Sequence, residues 1–176
     1  GDEHRPAKAG TSSRGWRVVD VFVPAQEGQP PAALLGTKKH QLRFVQVRSG
    51  AITEVWERNA GGEVNDIRNG DFDGDGVPEI LLGSDGFQFH VYDPNGTLLK
   101  RVTLDDRVYQ VGGWTSESGE THYVAAIGNG GFYLLDMNLE TEHFYRFSEN
   151  IAGVGIGENN AELWIALENG EVFVRK

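Results

Sequence analysis

Cysteine is absent from the 176 residues, which removes disulfides, thiolate catalysis and Cys-ligated zinc or iron–sulfur sites together. Long apolar runs are missing too: nothing approaches the ~20 consecutive apolar residues of a membrane span, so the chain as given reads as soluble. Positive charge is scarce. With 16 Lys and Arg against 26 Asp and Glu, the formal net charge is −10. Binding to nucleic acid or an anionic membrane depends on basic side chains neutralising phosphates, and neither partner is expected. Cations are better guests. There is no G-x-S-x-G, P-loop or H-E-x-x-H, and the five histidines (His4, His40, His90, His122, His143) stand singly.

What is present is a globular composition, 39% hydrophobic and 10% aromatic, with length for one domain. Twenty-four glycines accompany only 6 prolines without a triplet period, so frequent tight turns are expected rather than collagen or low complexity. The chain begins at Gly1 rather than Met, and an upstream segment, such as a secretory leader, is expected to have preceded it.

The glycines punctuate a repeat. One segment type recurs as "RVVDVFV" (17 to 23), "VNDIRNG" (64 to 70), "VYQVGGW" (108 to 114) and "IAGVGIG" (151 to 157). Taking Asp20, Asp66, Gln110 and Gly153 as equivalent gives steps of 46, 44 and 43 residues. A second type is short and apolar: "AALLGT", "EILLGS", "YVAAIGN" and "LWIALEN". Such runs read as strands buried on both faces. A third type, "LRFVQV", "FQFHVY", "FYLLDM" and "EVFVRK", alternates or is aromatic-rich. A fourth, "ITEVWER", "LLKRVTL" and "EHFYRF", follows hairpin signals such as "DPNG".

Four short strands in about 44 residues, without a helix, predict an all-β protein: a β-propeller of about four four-stranded blades, either a four-bladed ring or part of a larger one. Residues 1–16 read as an N-terminal extension, poorly ordered or covering an edge. The propeller domain is expected over 17–176, with blades at about 17–63, 64–107, 108–150 and 151–176. The last unit stops after its third strand, and an uncovered edge invites pairing. A weak closure by the N-terminal residues, a second chain making a homo-oligomer, or a larger parent ring would each cover it.

One inter-strand loop carries chemistry. "GDFDGDGVPEILLG" (70 to 83) places Asp71, Asp73 and Asp75 at alternate positions and Glu79 just beyond. Carboxylates this close oppose one another's ionisation. Oxygen donors at positions 1, 3 and 5, a backbone carbonyl at 7 and a further carboxylate suit Ca²⁺, with glycines making the bend. The expected ligands are Asp71, Asp73, Asp75, the carbonyl of Val77, and Glu79. Leu82 stands where an EF-hand needs its bidentate glutamate, and strands flank the loop, so the inferred calcium is structural. The first and third units offer "PAQEGQPPA" and "SESGETHYV" in its place, so one site is expected.

The run "NGDFDGDGVPEILLGSDGFQFHVYD" resembles the FG-GAP/VCBS repeat of calcium-binding β-propellers, the bacterial secreted type more than the integrin α type. The match covers residues 64 to 104, and the "FG…GAP" pattern is missing. The resemblance implies calcium at the five positions above. It also implies an extracellular, periplasmic or cell-surface setting and a non-enzymatic binding or scaffold role toward a protein or a polysaccharide. A lyase-like polysaccharide-processing enzyme, or a structural piece of a larger propeller, is the alternative.

Elsewhere bland readings prevail. His90 reads as a strand residue and Asp105 with Asp106 as a solvated turn; adjacency says nothing of a glycosidase pair. Trp16, Trp56, Trp114 and Trp164 are expected to fill space between blades. "KKHQLRFVQVR" (38 to 48) reads as a solvated strand face, "WTSESGETHY" as a connecting loop, and the "NGT" sequon at Asn95 as a turn.

Overall fold

A computed structural model describes residues 16–22, 30–157 and 162–175, and not the side chains of Trp16 and Val19. The expectation for residues 1–16 falls, apart from the backbone of Trp16, outside the described residues. Among the described residues, fifteen strands form four antiparallel sheets, each a meander of neighbours in chain order.

Blade 1 comprises β1 (Trp16–Phe22), β2 (Ala32–Thr37), β3 (Gln41–Arg48) and β4 (Ala51–Asn59). Blade 2 comprises β5 (Val64–Gly70), β6 (Glu79–Ser84), β7 (Gln88–Tyr92) and β8 (Leu98–Thr103). Blade 3 comprises β9 (Val108–Thr115), β10 (Thr121–Ile127), β11 (Gly131–Leu135) and β12 (Thr141–Arg146). Blade 4 has three described strands, β13 (Ile151–Ile156), β14 (Leu163–Leu167) and β15 (Val172–Arg175). A single 3-10 turn at Gly128–Gly130 is the only helical element among the described residues.

The "DPNG" signal makes the β7–β8 hairpin it announces. In "DPNG" the Thr97 N–H donates to Asp93 Oδ1 at 2.7 Å, and Gly96 supplies a φ of 76°.

Three apolar clusters glue the blades together. Phe22, Leu34, Phe44 and Trp56 of blade 1 meet Ile67, Ile80 and Tyr92 of blade 2. Leu81, Phe89 and Val91 meet Val108, Tyr123 and Leu135 across the next interface. Trp114, Val124 and Phe132 meet Leu163, Ile165 and Leu167 across the third. Small residues set the spacing: a Cβ on Gly83 would lie 2.8 Å from Val108 Cγ1, and one on Gly36 only 2.5 Å from Val64 Cγ1.

The blades meet through the innermost strands, β1 against β5, β5 against β9, and β9 against β13, with no comparable meeting of blade 4 with blade 1 among the described residues. The described residues form an open arc. Two expectations change for that reason. β6 is buried throughout, and β2 and β10 nearly so, but β14 alternates, with Trp164 42% exposed. Among the described residues no further strand covers its outer face. Trp56 and Trp114 do pack between blades, while Trp164 does not.

The sheet register also revises the repeat. Val18 pairs with Gly36 as Asp66 pairs with Gly83, so Val18 rather than Asp20 is the counterpart of Asp66. The basic stretch is not a plain solvated face either: Leu42, Phe44 and Val45 are buried. Arg43 bridges Glu54 at 2.9 Å and also pairs with Glu57. No helix among the described residues is long and apolar enough to cross a membrane.

Candidate metal centre

The acidic loop joins β5 to β6 on one rim of the arc. Its shape comes from the aspartates acting as backbone caps. Asp71 accepts from the Gly74 N–H at 2.8 Å and from the Gly76 N–H at 3.0 Å, one bond on each carboxylate oxygen. Asp73 accepts from the Asp75 N–H at 3.1 Å and Asp75 from the Val77 N–H at 2.7 Å. Gly74 and Gly76 sit at φ 79° and 85°, the left-handed region in which a side chain is strained. The chain therefore curls inward at the two glycines that the sequence places between aspartates.

Glu79 opens β6 and is buried, with 5% of its surface exposed. Its Oε2 accepts from the Phe72 N–H at 2.8 Å, which closes the loop. Burial pushes its carboxyl pKa up, and the charges of Asp73, Asp75 and Asp71 push the same way. One carboxylate oxygen from each of Asp71, Asp73, Asp75 and Glu79 lies within 4.8 Å of the others. All donors are hard oxygens, every one keeps lone-pair capacity, and the local charge is strongly negative. The cluster is able to hold a metal ion.

Two residues that the sequence reading passed over position this loop. Phe72, the apolar residue in "DFDGD", sends its ring into blade 3. It meets Tyr123 edge-on at 6.3 Å, against Gly113, where a Cβ would come within 2.2 Å of Phe72 Cδ1. Burial, then Glu79 and Asp73, push the Tyr123 hydroxyl pKa well above its ordinary value, so it stays protonated at physiological pH. An apolar ring inside an otherwise polar loop was the available signal.

The other sequence candidates are dispersed. His90 is buried in β7, between Gln88 Oε1 at 3.0 Å and the Tyr92 hydroxyl at 3.1 Å. Asp105 accepts from the Tyr133 hydroxyl at 2.8 Å, and Asp106 caps the Arg107 N–H at 2.7 Å. Burial and that bond to Asp105 push the Tyr133 pKa up to about 12. Trp114 heads the "WTSESGETHY" loop from inside the third interface, stacked on His122 at 5.3 Å.

No family model matches the sequence, and no curated protein does. Solved structures do match. A BBS1N chain in complex with ARL6DN, in crystals soaked with mercury, superposes with a TM-score of 0.67 at 10% identity, over 89% of this chain and 49% of that one. The lead-soaked crystal of the same complex gives the same score over 46% of its chain. The computationally designed Ika4 protein superposes with a TM-score of 0.70 at 10% identity, over 95% of this chain and 94% of that one. The fold is a β-propeller. The chain spans about half the length of the BBS1N chains, consistent with an open arc of such a propeller, and at this identity the likeness speaks for fold alone.

Proposed function

We propose that this propeller is a calcium-stabilised, non-enzymatic binding or scaffold module for a protein or a polysaccharide, working outside the cytosol. The observation that carries it is the convergence of Asp71, Asp73, Asp75 and Glu79 within 4.8 Å on a loop braced between two strands. Calcium is favoured over magnesium because an exposed carboxylate loop of this kind tolerates irregular, high-coordination oxygen geometry, whereas magnesium demands a near-ideal octahedron. The Val77 carbonyl completes the proposed set.

When bound, the ion supplies charge neutralisation and nothing else is asked of it. Glu79 and Phe72 then transmit the rigidity of the loop to β6 and blade 3. Loops of this kind suit millimolar calcium, hence the extracellular or periplasmic setting. A protein ligand is supported by the BBS1N neighbours, which were solved with ARL6DN bound.

Thermal melts in calcium and in chelator test the metal. Calcium is expected to raise the Tm by several degrees, as an ion that binds the folded state alone contributes about 2.7 kcal/mol at a hundredfold excess over its Kd. Asp73→Ala is expected to remove that increment. Equal curves for the parent chain with and without chelator would refute the reading.

A further inference from the structure

The rim opposite the acidic loop holds a groove of about 710 Å³ built from blades 2, 3 and 4, within the size range of small-ligand sites. Two aromatic rings stand at it, Phe87 (41% exposed) and Tyr109 (42% exposed). Phe87 is a bulky residue at a left-handed post. It occupies the β6–β7 turn at φ 64°, and its carbonyl accepts from the Leu104 N–H at 2.8 Å. In blade 3 the same post is held by Gly130 at φ 68°, whose carbonyl accepts from the Phe147 N–H at 2.9 Å, and in blade 1 by His40 at φ 62°, whose carbonyl accepts from the Ala60 N–H at 2.8 Å. A bulky side chain in the left-handed region is strained, and this one stays partly in water as well. Glycine serves the turn without either cost.

The polar lining is already oriented. Asp106 is held by the Asn129 side-chain amide and sits over Gly128, where a Cβ would come within 2.5 Å of Asp106 Oδ2. Asn150 Nδ2 donates to Glu168 Oε2 at 3.1 Å. Arg107 lies beside the Tyr109 hydroxyl at the same groove. After these bonds the carboxylates keep free lone pairs and the amides keep carbonyl or N–H capacity.

We infer that this groove binds a neutral oligosaccharide, which deepens and rests on the binding-module reading above. A pyranose offers an apolar C–H face to an aromatic ring and, at its edges, hydroxyls that both donate and accept. Phe87 and Tyr109 answer the first, and Asp106, Glu168, Asn129 and Asn150 the second. Two carboxylates against one guanidinium, on a chain of net charge −10, disfavour uronic or sulfated sugars.

The test is calorimetric titration of the full chain with cellohexaose, xylohexaose, mannohexaose and, as the anionic comparator, an alginate hexamer. At least one neutral hexamer binds and alginate does not. Phe87→Gly and Tyr109→Ala each weaken that binding at least tenfold, while Phe87→Gly leaves the Tm within about 3 °C of the parent, as expected for relief of a strained turn. Chelator leaves the affinity within twofold, because the groove and the acidic loop lie on opposite rims, which keeps failure here separate from failure of the metal reading. No binding of any neutral hexamer overturns the proposal, including the case in which a protein ligand competes for Phe87. Binding untouched by both substitutions moves the glycan site elsewhere and overturns this groove. Equal binding of alginate overturns the neutral class.

Discussion

Asp66 and Gln110 perform one task on successive blades: each side-chain oxygen accepts a backbone N–H from the next blade, Val111 at 3.0 Å and Val154 at 2.5 Å. Burial raises the Asp66 pKa, outweighing the bond from Val111 and the attraction of Arg68. The ionised form is thus disfavoured in the fold: the protonated carboxyl's stabilising contribution is complete below the unfolded value and lost as pH rises through the folded one. Asp66→Asn keeps the acceptor without the charge and is expected to be neutral or stabilising at pH 7. Asp66→Ala orphans the N–H and is expected to cost about 1–2 kcal/mol in urea unfolding. His90 works in the opposite direction. Burial, aided by Arg101, lowers its pKa from 6.5 to about 4, so the unfolded chain binds the extra proton and stability falls as pH drops from about 6.5 through 4. The expected loss is roughly 2–3 kcal/mol by pH 4.5, and His90→Gln is expected to flatten that limb of a pH-dependent unfolding series.

At the level of elements, the acidic loop is tied to a neighbouring blade through one ring. Gly113 leaves the space that Phe72 occupies, so Gly113→Ala must push the ring out or bend β9. The expected cost is about 1–3 kcal/mol, with a smaller calcium increment in the Tm because the loop loses its anchor. A calcium increment equal to that of the parent would show that Phe72 does not couple the two. β14 shows the converse situation: Leu163, Ile165 and Leu167 have a blade to pack on, and Trp164 does not.

For the whole molecule, the open arc leaves β15 an edge strand among the described residues, with Val172, Phe173 and Val174 all exposed, beside an apolar hollow of about 410 Å³. Unpaired edges of this kind template association. Val172→Lys and Val174→Lys are expected to reduce concentration-dependent association in sedimentation velocity, leaving the circular dichroism spectrum unchanged. A sedimentation coefficient independent of concentration in the parent, and equal in the variants, would remove β15 as a sticky edge.

The local text of the chain was enough for the strands, their order and the curl of the acidic loop, since period-two patterning, turn residues and alternate aspartates act over fewer than about ten residues. Asp71, Asp73, Asp75 and Glu79 converge because their spacing and two glycines leave the backbone little choice. Tertiary structure alone decided that the arc stays open, that Trp164 faces outward, that Val18 takes the place opposite Gly36, and that Phe72 locks the loop from another blade. The groove at Phe87 belongs with these: its lining comes from residues 87 to 168, and only the packing of blade on blade brings positions so distant in sequence within reach of one ligand.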